Sequence, residues 1–249
     1  MAAPDAEVTK QFTDSSNPTG IKYIRSDTSE SVTYFVRDDG CVDRTVGGGK
    51  IGSQFMPPAK TKYVSASAGN YASYLLRDDG IIDRIVSGKK RSEIFCEGGG
   101  KYVAISSGDY ASYFVRADGA VDRSIKDGKI ESTIAAPGSK TKYIDASAGS
   151  EATYLLRDDG KIDRTKGQGE ISATMACSEE GVAYVAISPQ AMGSASDKHN
   201  TITYQSYFVR SDGKVDKTKG GKTYGDIFLQ QEQEFSTYNY EKSNSTILL

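Results

Sequence analysis

Short apolar runs separated by polar turns dominate the hydropathy pattern of this chain of 249 residues. In "SYLLR", residues 73–77, Tyr74 and Leu76 share one face of an extended backbone, while Leu75 lies on the other face. A sheet with one solvated face would alternate more strictly between apolar and polar residues. The pattern therefore predicts short strands that are covered by protein on both faces.

This strand begins a sequence motif that occurs five times in the chain and consists of a strand, an Asp-Gly pair and a second strand. Glycine adopts the positive φ of tight hairpin turns, so each Asp-Gly pair predicts a β-hairpin. The five phrases are "TYFVRDDGCVDR" from Thr33, "SYLLRDDGIIDR" from Ser73, "SYFVRADGAVDR" from Ser112, "TYLLRDDGKIDR" from Thr153 and "SYFVRSDGKVDK" from Ser206.

A further strand precedes each hairpin and begins with a tyrosine that recurs every 39–41 residues. These tyrosines are Tyr23, Tyr63, Tyr102, Tyr143 and Tyr184. Repeats of about 40 residues with three or four short strands are typical of the blades of a β-propeller. A helical solenoid of the same period would need amphipathic runs of ten or more residues, and the sequence has none. The sequence thus predicts an all-β propeller.

The predicted propeller is a single domain, residues 1–249, with six blades. Five repeats cover approximately residues 22–61, 62–100, 101–141, 142–182 and 183–228. In the flanking segments "EVTKQF" resembles "KIGSQF" of residues 50–55, and "FSTYNYEKSNSTILL" resembles "KYVSASAGNYASYLL" of residues 62–76. We therefore predict a composite sixth blade, built from residues 1–21 and 229–249, that closes the ring and covers exposed strand edges.

The repeat resembles that of the regulator of chromosome condensation family. In "YVAISSGDYASYFVRADGAVDRS" a short strand ends in glycine, an apolar strand follows, and Asp-Gly precedes a third strand. The compact spacing looks most like the short-bladed members, such as the propeller-type β-lactamase inhibitor proteins. The family's histidine after the first glycine is absent, and "VDR" or "IDR" replaces its Trp-Gly blade ending. The resemblance implies a propeller fold and, for some members only, nucleotide exchange on a small GTPase.

Composition and charge narrow the range of partners and compartments. Lys and Arg total 31 against 33 for Asp and Glu, so the chain lacks the basic excess that favours nucleic-acid binding. No apolar run is long enough for a membrane-spanning helix, and the N-terminus lacks a secretory signal pattern. The three widely spaced cysteines, Cys41, Cys96 and Cys177, fit reduced thiols. We expect a soluble cytoplasmic protein, or an organellar one if a transit peptide was removed, without nucleic acid or membrane insertion.

A repeated pair of opposite charges is the most prominent polar feature. An arginine ends the middle strand of each repeat and an aspartate follows in the next strand. Opposite charges in register normally neutralise one another, so we interpret them as ion pairs within or between blades. The alternative is a charge ring that lines a channel or the blade interfaces and holds an anion. The residues are Arg37, Arg77, Arg116, Arg157 and Arg210, with Asp43, Asp83, Asp122, Asp163 and Asp216.

No residue pattern predicts catalysis, a metal site or a cofactor. The only histidine, His199, lies in a polar stretch, and we interpret it as a solvated loop residue. In "RDDGKID" an arginine stands where a calcium loop needs an acidic ligand, and "DKTKGGKT" lacks the first glycine of a phosphate loop. We therefore expect a protein without enzymatic activity.

The fifth repeat is irregular because it contains an insertion. Gly160 and Gly213 are 53 residues apart instead of about 40, and the additional residues fall within 189–205. Loops on rigid scaffolds often carry recognition, although a neutral surface insertion explains the sequence equally well. We predict that the insertion, with Met192, His199 and Tyr204, contacts a protein partner.

The sequence as a whole favours a non-enzymatic scaffold for protein–protein interaction or a structural subunit of a larger assembly. A propeller that binds sugars or anions is the main alternative. An inhibitor or exchange factor that docks on one enzyme or GTPase is a third interpretation. Closed ion pairs at the repeated arginines favour the scaffold, whereas unpaired arginines around an open channel favour a ligand.

Overall fold

A computed structural model describes residues 20–29, 31–47, 49–125, 127–149, 152–166, 168–188, 191–193, 203–219 and 228–231. These residues form 22 β-strands and one turn of 3₁₀-helix at Glu97–Gly99. No helix in this part of the chain is long and apolar enough to cross a membrane.

Each of the five repeats forms one antiparallel four-stranded sheet. Sheet 1 consists of β1 (Tyr23–Thr28), β2 (Val32–Arg37), β3 (Val42–Val46) and β4 (Lys50–Phe55). Sheet 2 consists of β5 (Tyr63–Ser67), β6 (Ser73–Arg77), β7 (Ile82–Val86) and β8 (Lys89–Ile94). Sheet 3 consists of β9 (Tyr102–Ser107), β10 (Ser112–Arg116), β11 (Val121–Ser124) and β12 (Ile130–Ile134).

The remaining strands form two further sheets and a small ribbon. Sheet 4 consists of β13 (Tyr143–Ala148), β14 (Thr153–Arg157), β15 (Ile162–Lys166) and β16 (Glu170–Met175). Sheet 5 consists of β17 (Tyr184–Ile187), β20 (Tyr207–Arg210), β21 (Val215–Lys219) and β22 (Phe228–Gln231). Between β17 and β20, β18 (Ala191–Gly193) and β19 (Thr203–Gln205) pair as a two-stranded ribbon.

The sheets are arranged as blades, with their first strands innermost. The first strands β1, β5, β9, β13 and β17 contact one another in succession, whereas the fourth strands make their main contacts within their own sheets. Arg25 of β1 also acts electrostatically on Asp145 of β13, three sheets further along the chain. The succession of sheets therefore curves around a common axis.

Four hydrophobic cores hold consecutive sheets together. Between sheets 2 and 3, Tyr74 and Leu76 pack against Tyr102 and Phe114, and the Tyr74 and Phe114 ring centroids are 5.0 Å apart. Leu75, on the opposite face of the same strand, packs into the core shared with sheet 1. The prediction that these strands are covered on both faces is confirmed, since every residue of β6 is buried.

The five Asp-Gly turns have the predicted geometry, with glycine φ values between 77° and 92°. The close approach of the next sheet is a second reason for glycine at these turns. At Gly80, a Cβ atom would lie only 2.5 Å from Cβ of Lys101, and the Gly80 carbonyl accepts a hydrogen bond of 3.1 Å from the amide of Tyr102. Each such turn therefore forms a hairpin and also a junction between sheets.

The described residues show five blades, not the six that the sequence analysis predicted. Most of the residues assigned to the composite blade, 1–21 and 229–249, lie outside the described part of the chain. Within that range, residues 229–231 belong to β22, because they pair with β21 as the fourth strand of sheet 5. The fifth repeat therefore extends beyond its predicted end at residue 228.

Candidate functional site

A buried cluster links the three inner strands of every sheet. In sheet 2, the Tyr63 hydroxyl donates a hydrogen bond of 2.6 Å to Oδ2 of Asp83. Arg77 donates from Nε and Nη2 to the two carboxylate oxygens of Asp79, at 3.1 and 3.0 Å, and its Nη1 lies 3.5 Å from Oδ1 of Asp83. The arginine thus joins the Asp-Gly turn to a carboxylate in the interior of the sheet.

The same arrangement occurs in all five sheets. The distance from the tyrosine hydroxyl to the aspartate of the third strand is between 2.6 and 2.9 Å. The arginine lies between 3.5 and 3.8 Å from that aspartate. The pairs are Arg37–Asp43, Arg77–Asp83, Arg116–Asp122, Arg157–Asp163 and Arg210–Asp216. These are closed ion pairs, and each lies within its own blade.

The environment of the cluster fixes its protonation. Burial raises the pKa of Tyr63, and the hydrogen bond to Asp83 raises it further, so the hydroxyl stays protonated. Burial would also raise the pKa of Asp79, but hydrogen bonds from Arg77 and from the amide of Ile81 hold that pKa below its ordinary value. A protonated Tyr63 hydroxyl and an ionised Asp79 carboxylate suit a structural network, and neither group titrates near neutral pH.

The tyrosines of this cluster are hydrogen-bond partners of the aspartates that the sequence analysis did not identify. The constant sequence spacing could have revealed this pairing. Tyrosine and aspartate are 20 residues apart in the first four sheets and 32 in the fifth. The additional 12 residues in sheet 5 come from the insertion.

The remaining candidate groups form no reactive centre in the described residues. No group of three His, Cys, Asp or Glu side chains in that part of the chain is placed to hold a metal ion. Cys41, Cys96 and Cys177 are unpaired thiols, and burial raises the pKa of each. A raised pKa disfavours the nucleophilic thiolate.

The predicted partner surface is only partly visible. Met192 of β18 pairs with Tyr204 of β19, so the structure brings the backbones of these two residues together. The ribbon follows β17 at the end of the propeller opposite the Asp-Gly turns. The third predicted contact, His199, lies outside the described residues, and partner binding by the insertion stays a prediction.

Two exposed tyrosines lie on the same side of the propeller as this ribbon. Tyr71 and Tyr110 belong to the loops that follow β5 and β9, and both side chains are more than half exposed. They line a shallow notch together with Ile125. We call this side of the propeller the loop face, and the side that carries the Asp-Gly turns the turn face.

The turn face carries an apolar feature that the sequence analysis missed. Every first strand has a β-bulge directly after its tyrosine; in β5 the pairing with β6 passes from Tyr63 to Ser65 and leaves out Val64. Bulges re-aim side chains and are retained as structural features. The five bulge residues are aliphatic and 37–55% exposed. They are Ile24, Val64, Val103, Ile144 and Val185.

These five residues, the aliphatic ring, lie at the turn-face ends of the innermost strands. Their strands are innermost, and each bulge lies at the end of its strand beside an Asp-Gly turn, since Tyr63 pairs with Arg77 at the start of that turn. Each β-branched side chain is solvated although aliphatic residues usually lie inside proteins. Exposed apolar residues that cluster on one face mark a site of interaction in many soluble proteins.

Comparison with known proteins supports the fold and nothing more specific. Neither a protein-family model nor a curated protein sequence matches this chain. Solved structures do superpose on it, among them Prp20p from Saccharomyces cerevisiae, with a TM-score of 0.59 and 12% identity over 88% of this chain and 65% of Prp20p. The fold is a β-propeller. Prp20 is also yeast RCC1, so the predicted likeness to the chromosome-condensation-regulator propeller is confirmed at the level of fold.

Two further structures show the same level of similarity. Human WBSCR16 superposes with a TM-score of 0.59 and 10% identity, over 80% of this chain and 62% of its own. BamB from Moraxella catarrhalis gives 0.56 and 11%, over 85% of this chain and 64% of its own. This propeller spans less than two thirds of the length of these structures. The resemblance to short-bladed members of the family stays a prediction.

Proposed function

We propose that this propeller is a non-enzymatic scaffold that binds a protein partner at the aliphatic ring on its turn face. The main evidence is that all five first strands expose a β-branched side chain at a bulge residue, which is left out of the pairing with the neighbouring strand. Burying such side chains against a partner removes apolar surface from water, which contributes about 25 cal/mol per Å². The fold provides five of them on the successive first strands of its sheets.

The repeated charges support a scaffold over a sugar-binding or anion-binding propeller. Each arginine of the five clusters already contacts two carboxylates, so its guanidinium groups are engaged by the sheet itself. A second charged ligand would have to displace an aspartate from a buried, hydrogen-bonded position, which is strongly unfavourable. The charge ring is therefore better explained as a structural network.

Proteins that share this fold are consistent with an interaction role. Prp20p is described by its binding to Gsp1p and histones, and another neighbour, with a TM-score of 0.57, occurs in the mitotic checkpoint complex. At about 10% identity these cases support the coarse role and name no partner for this chain. Its partner, an intracellular location and its membership of a larger assembly are parts of the proposal.

The loop face offers a second contact surface in the same proposal. Tyr71 and Tyr110 are exposed there beside a notch, on the side where the insertion of residues 189–205 leaves sheet 5. Tyrosine is enriched at protein interfaces because it buries a large apolar ring and also forms a hydrogen bond. A partner that spans both faces would contact the aliphatic ring and this surface together.

The test is affinity capture of partners from the native source with three forms of the protein. The first form carries Ile24→Thr and Ile144→Thr in the aliphatic ring. The second carries Ile51→Thr and Ile171→Thr on the outer strands β4 and β16, where the isoleucines are similarly exposed. The third carries Tyr71→Ser and Tyr110→Ser.

Loss of a stoichiometric protein partner from the first form, with retention by the second, is the expected result. Loss from the third form alone would move the contact to the loop face and overturn the proposed site. Equal capture by all forms would refute both surfaces. Circular dichroism of each form verifies that the sheets are intact. In the first two forms one β-branched residue replaces another, which suits a strand.

A further inference from the structure

A second repeated arginine lies on the third strand of each of the first four sheets, directly after the aspartate of the buried cluster. These residues are Arg44, Arg84, Arg123 and Arg164. Beside each of them the fourth strand has a β-bulge, so one residue of that strand is left out of the pairing. The four bulge residues are Gly52, Arg91, Glu131 and Ser172. The bulge therefore places a different side chain beside the arginine in each sheet.

Sheet 3 has an acidic side chain at the bulge. Arg123 donates a hydrogen bond from Nη1 to Oε2 of Glu131. Ser132, which pairs with Arg123, donates from Oγ to the carbonyl of Gln168 in the outer hairpin of sheet 4, at 3.0 Å. A carboxylate at the bulge thus neutralises a guanidinium that is buried.

Sheets 4 and 2 have other residues at this position. In sheet 4 the hydroxyl of Ser172 accepts a hydrogen bond of 3.4 Å from Nη1 of Arg164. In sheet 2 the bulge residue is Arg91, whose side chain has no acceptor, and Arg84 interacts with other groups. The partner of the arginine therefore depends on the sheet.

Sheet 1 has no side chain at the bulge, because the residue there is Gly52. Arg44 and Ser53 are the counterparts of Arg123 and Ser132. In the described part of the chain, no carboxylate forms an ion pair with Arg44, and the buried Oγ of Ser53 lacks the hydrogen bond that Ser132 forms. The position that a carboxylate occupies in sheet 3 is thus open in sheet 1.

The outer hairpin of sheet 2 lies against this open position. Gly88 is in the turn between β7 and β8, and a Cβ atom there would be 3.1 Å from Nη1 of Arg44 and 3.8 Å from Oγ of Ser53. Arg44 is half-buried, whereas Gly52 is exposed, so the position is accessible from the side of β4. A guanidinium that is partly removed from water favours an ionised acceptor, because hydrogen bonds between charged groups are stronger than those between neutral groups.

We propose that Arg44, Ser53 and Gly88 form a binding site for a carboxylate group from outside the chain. The ligand occupies the position that Glu131 has beside Arg123. The planar guanidinium matches the geometry of a carboxylate, and the Ser53 hydroxyl is a second donor beside it. The carboxylate belongs either to a small free acid or to an acidic side chain of a protein. Because the site is on third and fourth strands, it is independent of the partner site at the aliphatic ring.

The experiment follows NMR signals of the Gly88 amide and of the arginine Nε–H groups while sodium acetate replaces sodium chloride at constant ionic strength. Gly52→Glu supplies an internal carboxylate, as in sheet 3. Gly52→Ala is the matched control, because it adds a Cβ atom without a charge; in either variant Val46 has to move slightly, since that Cβ would lie 3.0 Å from its Cγ2. Glu131→Gly removes the internal carboxylate of sheet 3. The dispersion of each spectrum shows that the variant is folded.

We expect saturable shifts at Gly88 and Arg44 in the wild type and in Gly52→Ala. Gly52→Glu should weaken acetate binding by about tenfold or more, because its own carboxylate occupies the guanidinium. Glu131→Gly should add a saturable response at Arg123. Shifts that grow without saturation, an unchanged affinity in Gly52→Glu, or no response of Arg123 in Glu131→Gly would each overturn the proposal.

A second titration distinguishes the two sources of the carboxylate. It uses the tripeptide alanyl-glutamyl-alanine, blocked at both ends, with the glutamine analogue as its control. Tighter binding of the glutamate peptide than of acetate assigns the site to an acidic side chain of a protein, and tighter binding of acetate assigns it to a small free acid. Equal shifts with the two peptides would overturn the recognition of a carboxylate.

Discussion

The hydroxyl of Tyr63 donates a hydrogen bond of 2.6 Å to Oδ2 of Asp83, a carboxylate that is completely buried. The bond spans from the first strand of the sheet to the third, and Arg77 approaches the other oxygen of the same carboxylate from the second strand. Asp83 therefore fixes all three inner strands of a blade. Its position explains why an aspartate recurs in the interior of every sheet.

We predict that Tyr63→Phe lowers the free energy of unfolding by about 2 kcal/mol, because the buried carboxylate loses a hydrogen-bond donor and no water replaces it. The measurement is equilibrium denaturation in urea. Tyr74→Phe is the matched control, since Tyr74 is equally buried in the same sheet and its ring packs in the core. We expect a change below about 0.5 kcal/mol there. Equal effects of the two substitutions would contradict the role assigned to the hydroxyl.

The turn aspartate Asp79 adds a pH dependence to stability. Burial raises its pKa, but hydrogen bonds from Arg77 and from the Ile81 amide outweigh burial and leave the pKa below the ordinary 3.8. A carboxyl with a lowered pKa in the folded state stabilises the fold above its unfolded pKa. That contribution is lost as pH falls through the folded pKa.

Asp79→Asn is therefore expected to lower the free energy of unfolding at pH 7 by about 0.5–1 kcal/mol, a modest value because the side chain is one-third exposed. The difference from wild type should shrink towards zero below pH 3. Denaturation in urea at several pH values checks both parts. A deficit that is the same at pH 3 and pH 7 would show that the contribution is not electrostatic.

The opposite sign is predicted for Asp145 on the inner strand of sheet 4. Burial raises its pKa, and the hydrogen bond from the Ala146 amide and the charge of Arg25 compensate only in part. Its contribution is thus most favourable below the unfolded pKa of 3.8 and is lost as pH rises through the folded pKa. Asp145→Asn should raise the melting temperature at pH 7 and leave it unchanged near pH 3. A lower melting temperature at pH 7 would refute this assignment.

The features that could be predicted from the sequence are those that local backbone geometry determines. Positive φ at Gly40, Gly80, Gly119, Gly160 and Gly213 follows from the hairpin itself, so these turns were visible as Asp-Gly pairs. The ion pairs were visible because arginine and aspartate repeat in register. The exposure of Val64 could not be predicted from the sequence. A valine in a strand is normally a core residue, and the structure exposes this one at a β-bulge. Six blades were predicted, whereas the described residues show five, and most of the residues assigned to the sixth blade lie outside the described part of the chain.

Substitution of a turn glycine distinguishes two reasons for glycine at this position: the positive φ of the turn and the close contact with the next sheet. We predict that Gly80→Ala lowers the free energy of unfolding by about 2–4 kcal/mol, because alanine adds strain at positive φ and also collides with Lys101 of the next sheet. Gly98→Ala, at a similar φ of 71° and with no atom of the described residues within 4 Å of the added Cβ, should cost only the strain, about 1 kcal/mol. Urea denaturation of both variants measures the difference. Equal losses would mean that the junction relaxes without cost.

The hydrogen bonds between the first strands of neighbouring sheets differ between two junctions, and substitution of Ser106 and Ser147 tests this difference. Ser106 Oγ accepts a bond of 2.9 Å from the Ala148 amide, whereas the buried Oγ of Ser147 has no hydrogen-bond partner in the described chain. At the position that would donate to Ser147 the sequence has Pro189, which carries no amide hydrogen.

We therefore predict that Ser106→Ala lowers the free energy of unfolding by about 1 kcal/mol, because the Ala148 amide loses its acceptor. Ser147→Ala should be neutral or slightly stabilising, since it removes a buried polar atom that lacks a bond. Thermal unfolding monitored by circular dichroism compares the two variants directly. A loss at Ser147 as large as that at Ser106 would show that the junction between sheets 4 and 5 is held by the same inner hydrogen bond as the others.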